Sequence, residues 1–234
     1  MTLLRRQRAA PGPDGKLVAI MPTQAGWQYV HFAAYCLPRG AVLRGEAGGN
    51  ETALIVLGGR CTIATGDRSF QDIGRRRDVW DRLPAYVLLR PPGSPYHLEA
   101  GTELHLPVAG APATAAPPAQ PITPEEIVAE HRGEGQTFPD IHHPLPPVAA
   151  AARLILVEVY TPGGNWSSFP PHKHDTEDSP HESYLEETYY YQIRPSAGFA
   201  LQRVYTADRS LDEAVAPGEG DLVLVPRGYH TVAA

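Results

Sequence analysis

The chain has 234 residues and a formal net charge of -6, and among its 20 basic residues only Lys16 and Lys173 are lysines. That length admits one large or two small β domains. The acidic balance excludes an extended nucleic-acid footprint, and no apolar run approaches the roughly 20 residues of a membrane span. Arg5, Arg6 and Arg8 are not followed by the apolar stretch of a signal peptide. Cys36 and Cys61 both sit inside apolar stretches and read as buried free thiols. A cytoplasmic, reducing setting is therefore the expectation. Arg75-Arg76-Arg77 is followed by Asp78 and Asp81 and reads as a solvated loop.

The 25 prolines and 22 glycines punctuate short runs of Val, Ile, Leu and Tyr, a pattern of many strands and turns rather than helices. Strand-like runs lie at Tyr29 to Leu37, Ala53 to Leu57, Arg60 to Thr65, Tyr86 to Leu89 and Leu104 to Val108. Turn signals at this spacing predict an all-β sandwich or barrel over residues 1–108. Residues 109–122 are rich in Ala and Pro and read as a semi-extended linker within a 109–151 connection. Thr123-Pro124-Glu125-Glu126 has the form of a helix start, with Thr as N-cap and Pro at the first position. A short helix ending before Gly133 is expected there.

Strand character returns over 152–234. It runs through Leu154 to Tyr160, Trp166 to His174, Thr188 to Ile193, Phe199 to Thr206 and Leu222 to Val225, with a second short helix over Leu211 to Val215. The expected architecture is two β domains joined by a linker and a short helix.

His172-Lys173-His174 is the most informative motif. On a strand, residues i and i+2 project from one face, so both imidazoles point at one spot while Lys173 points away. A carboxylate and a third imidazole would complete a three-nitrogen, one-oxygen site suited to a borderline divalent ion, with positions left open for substrate. Glu187, at the head of Glu-Thr-Tyr-Tyr-Tyr, and His230, in Pro226-x-Gly228-x-His230, are the candidates. His-x-His alone is weak evidence in a chain with 10 histidines.

Gly163-Gly164, the His pair, Glu187 and the Gly220…Pro226-x-Gly228-x-His230 segment together resemble the two motifs of the cupin superfamily. Residues 175–186 make an unusually long gap between His174 and Glu187, and the last segment is one residue short of the general pattern. A narrower resemblance is carried by Val157-Glu158-Val159-Tyr160-Thr161-Pro162, Pro170-Pro171-His172-Lys173-His174-Asp175, His181 through Tyr190, Gly198 through Thr206, Asp208 through Glu213 and Val225-Pro226-Arg227-Gly228-Tyr229-His230. These segments resemble the 5-deoxy-glucuronate isomerase family of myo-inositol catabolism, which shares the long gap. Tyr191 stands where that family usually has a histidine.

The resemblance implies two cupin-type double-stranded β-helix barrels. The first lacks His-x-His and is structural or an interface, and the second binds metal. Because the family continues past Ala234, the second barrel is expected to be incomplete at its C-terminus. The implied ligands are His172, His174, Glu187 and His230, and the implied metal is Zn, Mn, Fe or Ni. Glu187, Tyr189 and Tyr191 are expected inside the barrel and Glu186 in solvent. Arg203 and Tyr205, on the strand face of Phe199 and Leu201, are read as inward-facing, with Arg203 either binding the carboxylate of a small sugar-acid substrate or forming a structural salt bridge. Tyr189, Glu182 and a metal-bound water are the candidate bases for an aldose–ketose isomerisation of 5-deoxy-glucuronate to 2-deoxy-5-keto-gluconate. A hydride shift competes with proton transfer. A non-catalytic sugar-acid-binding bicupin and an Fe(II) cupin oxygenase are the alternative readings. No membrane or nucleic-acid partner is expected, and self-association through exposed strand edges is.

Overall fold

Alternating β-branched and aromatic residues between Gly and Pro turns give strands almost throughout. The structure, a computed structural model of the chain, describes residues 2–46, 48–131, 133–137, 139–146 and 149–234. The first half contains β1 (Leu4–Arg5), β2 (Lys16–Ile20), β3 (His31–Leu37), β4 (Val42–Gly45), β5 (Asn50–Val56), β6 (Cys61–Thr65), β7 (Arg68–Ile73), β8 (Tyr86–Arg90), β9 (Tyr96–Ala100), β10 (Leu104–Pro112) and β11 (Gln120–Ile122). Then come β12 (Val128–His131), β13 (Asp140–His143), β14 (Glu158–Tyr160), β15 (Trp166–His172), β16 (Glu187–Tyr190), β17 (Leu201–Tyr205), β18 (Asp212–Val215), β19 (Leu222–Val225) and β20 (Tyr229–Ala233).

In the first half a six-stranded sheet, β11-β8-β5-β10-β3-β2, faces a four-stranded sheet, β4-β9-β6-β7. Leu54, Leu88 and Leu106 from one sheet meet Leu43, Ile63 and Leu98 from the other in a closed core. The second half repeats this order. Sheet β1-β19-β16 corresponds to β11-β8-β5, and β15-β20-β17-β18 corresponds to β4-β9-β6-β7. Its core holds Leu3, Val204, Val223 and Val225. β19 is buried on both faces: Val223 and Val225 point into the second half, while Leu222 and Leu224 pack with Phe32, Ala34 and Ala109 of the first. The halves therefore join sheet against sheet through a continuous apolar layer.

Several expectations are corrected. The stretch read as a linker from 109 is partly sheet: β10 runs on to Pro112 alongside β3 and β5, and β11 pairs with β8. The small side chains of Ala109 and Ala111 fit that buried layer. Thr123 and Glu126 do form the reciprocal capping pair, yet only a 3₁₀ turn over Pro124–Glu126 follows. The chain is then captured by β13, which pairs with β12, so tertiary pairing overrides the local helix signal. Leu211 to Val215 is likewise not helical, because Asp212–Val215 pairs with β17.

Arg76 is not solvated. It is 2% exposed and gives Nη2 to Glu158 at 2.7 Å, with Tyr160 Oη, Leu57 O and Leu83 O as further acceptors. That cation fastens β14 to the first half. Both cysteines are free thiols, and burial pushes Cys61 up to about 12. Among the described residues no helix is long and apolar enough to cross a membrane.

Candidate metal centre

β15, β16 and β20 place the four predicted ligands. β15 and β20 pair at Trp166–Ala233 and Ser167–Val232, then lose register and resume at His172–His230. Pro170 and Pro171 have no N–H to give the ladder, so the strand bulges over 168–171. The bulge sets His172 beside His230, with ring centroids 4.4 Å apart. Ser168, at φ 53°, turns its hydroxyl to Tyr189 Oη at 2.9 Å.

The ligand nitrogens of His172, His174 and His230 lie within 4.8 Å of one another. Glu187 Oε2 is 3.0 Å from His174 Nε2 and 2.9 Å from His230 Nε2. Second contacts fix which nitrogens face inward. Leu185 O can only accept, so His174 Nδ1, 2.9 Å away, carries the proton and Nε2 is left as a lone-pair donor. Gly228 O does the same for His230 Nδ1 at 3.3 Å. His230 Nε2 is fully buried and has no well-directed hydrogen-bond partner. A buried, unsatisfied imidazole nitrogen facing two more imidazoles and a carboxylate fits a divalent cation of the Zn, Mn, Fe or Ni type.

Electrostatics agree with that geometry. Burial alone would raise the Glu187 carboxyl, but the His174 and His230 imidazoles beside it hold it down to about 2. Burial lowers His172, with the neighbouring His230 adding to the effect. Burial also works against His174, and the neighbouring Glu187 carboxylate overcomes it, so that imidazole is raised. Tyr189, on the inner face two residues past Glu187, is driven well above the ordinary phenol range, chiefly by burial.

The other predicted residues are placed differently. Both Glu182 oxygens are committed: Lys173 Nζ lies 2.8 and 2.6 Å away, and the amides of Asp175 and Thr176 donate at 2.7 and 2.8 Å. Glu182 is therefore the anchor of the 175–186 loop rather than a free base. Asp175 extends the anchor by accepting from Gly228 N at 2.7 Å, next to the His230 turn. Arg203 and Tyr205 lie on the outer face. Gln202 and Val204 are the buried residues of β17, Val204 pairs with His230, and Arg203 pairs with Asp212 at 2.9 Å in solvent. The exposed Phe199 and Leu201 share that outer face, so the expectation of an inward arginine is corrected. Glu186 is not solvated either: it is 8% exposed and accepts from three backbone amides. Ser168 was missed by sequence reasoning, and only the paired prolines hinted at the bulge that delivers it.

Two facing sheets in each half, with imidazoles and a carboxylate converging at one end of the second, define a cupin-type fold with a candidate metal site. Its fold likeness extends to the oxalate decarboxylase of Lactobacillus farciminis, with a TM-score of 0.68, 12% identity and coverage of 100% of this chain and 82% of that one. The chain belongs to the KduI/IolB family, whose model matches residues 3–234. A 5-deoxy-glucuronate isomerase of Geobacillus thermodenitrificans is 47% identical over 225 residues, covering 96% of this chain and 82% of that protein. The Bacillus subtilis protein of the same name is 36% identical over 233 residues, covering 98% and 86%. An IolB-like protein from Salmonella typhimurium superposes with a TM-score of 0.96 at 40% identity, covering 100% of this chain and 88% of that one.

Proposed function

We propose that this chain converts 5-deoxy-glucuronate to 2-deoxy-5-keto-gluconate, an aldose–ketose isomerisation, at the His172–His174–Glu187–His230 centre. The observation that carries the reading is the convergence of those four side chains on a chain 47% identical to a protein named for this reaction. The named relatives favour the isomerase over a sugar-acid sensor or an Fe(II) oxygenase.

The reaction moves a proton between adjacent carbons of an α-hydroxy aldehyde while negative charge gathers on the carbonyl oxygen. A divalent ion held there would supply Lewis-acid stabilisation of that charge. His172, His174, Glu187 and His230 would hold it, and the Leu185 and Gly228 carbonyls keep His174 and His230 turned inward. Tyr189 stands over His230, with ring centroids 5.9 Å apart, and its hydroxyl is tied to Ser168. That hydroxyl is the group of this chain placed to hold a proton at a substrate oxygen. The loop anchored by Lys173, Asp175 and Glu182 joins the His pair to the Gly228 turn and keeps the ligand set rigid.

The test is elemental analysis of protein purified without chelator, with the same sample assayed for isomerisation of 5-deoxy-glucuronate. Near-stoichiometric metal with turnover is expected, and His172→Ala is expected to lose both together. Metal retained in His172→Ala would remove the centre from this site. Tyr189→Phe is expected to keep its metal and lose ~10² in kcat, the scale of a positioned proton donor. Product formed in deuterated water acquires solvent deuterium if a proton is transferred and none if hydride shifts.

A further inference from the structure

Glu186 immediately precedes the ligand Glu187 and faces the opposite side of the strand. Its carboxylate accepts from three successive amides, Gln28 at 2.6 Å, Tyr29 at 2.7 Å and Val30 at 3.0 Å. Those residues lead into β3 of the first half. Glu51 does the same in reverse. It accepts from Ala152 at 2.8 Å, Arg153 at 2.9 Å and Leu154 at 3.2 Å, the segment leading into β14. The two glutamates hold equivalent places: Thr52 pairs with Arg90 as Glu187 pairs with Val225, so Glu51 matches Glu186. Glu51 is 0% exposed, and backbone amides grip both carboxylates, with the Tyr184 hydroxyl as a further neighbour of Glu186. Three charge-assisted bonds apiece make strong, directional fasteners.

Glu187 needs such a fastener. Glu187–Val225 is the terminal rung of the β16–β19 ladder. Upstream lies the irregular 175–186 loop, whose backbone link here is Leu185 N to His174 O at 2.8 Å. The ligand therefore sits where a ladder ends, and the Glu186 grip is what continues the constraint.

We propose that Glu186 is a positioning residue of the metal centre, fixing the backbone at Glu187 through the amides of residues 28–30 and so tying ligand geometry to the first half. The proposal rests on the metal-centre reading above. Glu51 provides an internal control, because the same device there precedes Thr52, which lies outside the cluster of His172, His174 and His230.

The experiment compares wild type, Glu186→Gln, Glu186→Asp and Glu51→Gln. The glutamine keeps the shape but turns an NH₂ group toward amide donors, which removes bonds without creating a cavity. Zn(II) affinity by chelator competition, the Co(II) absorption spectrum and the melting temperature of each metal-free protein are measured. Glu186→Gln is expected to lose ~10- to 100-fold in metal affinity and to shift the Co(II) bands, the scale of a lost supporting contact at a metal site. Glu186→Asp, which keeps the charge, is expected to fall between Glu186→Gln and wild type. Glu51→Gln is expected to lower the melting temperature as much while binding metal as wild type does. The proposal is overturned if Glu186→Gln binds Zn(II) and Co(II) like wild type. It is equally overturned if both glutamine variants lose metal in proportion to their melting temperatures. A wild type that binds no metal, or a His172→Ala that still does, sinks the metal-centre reading itself and is a distinct result.

Discussion

Where His172, His230 and Val204 lie side by side in the second half, the first half carries Gly45, Tyr96 and Thr65. Gly45 has no side chain to offer, and a Cβ there would sit 2.3 Å from Tyr96 Cε1. The Tyr96 ring fills the space an imidazole would need. Opposite Thr52, in the place of Val225, stands Arg90, fully buried and stacked 4.8 Å from the Tyr96 centroid. One half thus ends in imidazoles and a carboxylate arranged for an added cation, and the other carries its cation in its own chain. The same strand order supports either outcome, because the sheets fix where side chains point and a few inward residues decide what they do.

The largest expected effect that breaks the comparison is His230→Ala beside Tyr96→Ala. His230→Ala should lose metal and ~10³-fold or more in turnover, since metal stabilisation is worth several kcal/mol. Tyr96→Ala should cost ~3 kcal/mol of stability by the usual scale for a buried aromatic, with metal content unchanged. Metal analysis and denaturant melts on both variants decide it.

Next is the layer between the halves, where His105 Nε2 meets Tyr190 Oη at 2.8 Å. Burial, with Arg76 adding to it, lowers this imidazole to about 4. The unfolded chain, titrating near ~6.5, binds the proton first, so this contribution is complete above that pH and is lost as pH falls towards about 4. Up to ~3 kcal/mol is at stake. His105→Gln should flatten stability against pH in that window, and an unchanged slope would show that His105 is not its source.

Smaller, and of opposite sign, is Arg90→Met. Arg90 Nε and Nη2 are buried without hydrogen-bond partners among the described residues, and burial also lowers the guanidinium. An apolar chain of similar length should leave stability unchanged or raise it by ~1–2 kcal/mol. A large loss in the thermal melt would give the built-in cation a structural role. Arg203→Ala, outside the second half, should change stability by less than ~1 kcal/mol and leave KM for the sugar acid unaltered. A raised KM would return Arg203 to the site.

Much of this was legible in the sequence for identifiable reasons. Period-two alternation ties His172 to His174 whatever the fold, and the Gly and Pro punctuation marks the strands. Alternation does not say which of two faces looks inward. Phe199 and Leu201 suggested that Arg203 faces the core, and the inner residues proved to be Gln202 and Val204. Opposed faces likewise suggested that Glu186 meets water, because a sequence cannot show that another sheet waits there. Thr123 does stand at an N-cap with Pro124 next to it, yet pairing of the following residues with β13 decided the outcome. Tyr191, the departure from the resembling family, bonds through its hydroxyl to Gln202 at 2.8 Å, a contact no motif announces.

The strand β1 carries one more consequence. Leu4 and Arg5 pair with Val223 and Leu222, at the far end of the chain. At a synthesis rate of ~5–20 residues per second, roughly 10–40 s separate the emergence of these partners from the ribosome. β1 can therefore dock only once residues 222 and 223 have been made, and the edge of β19 it covers stays open until then.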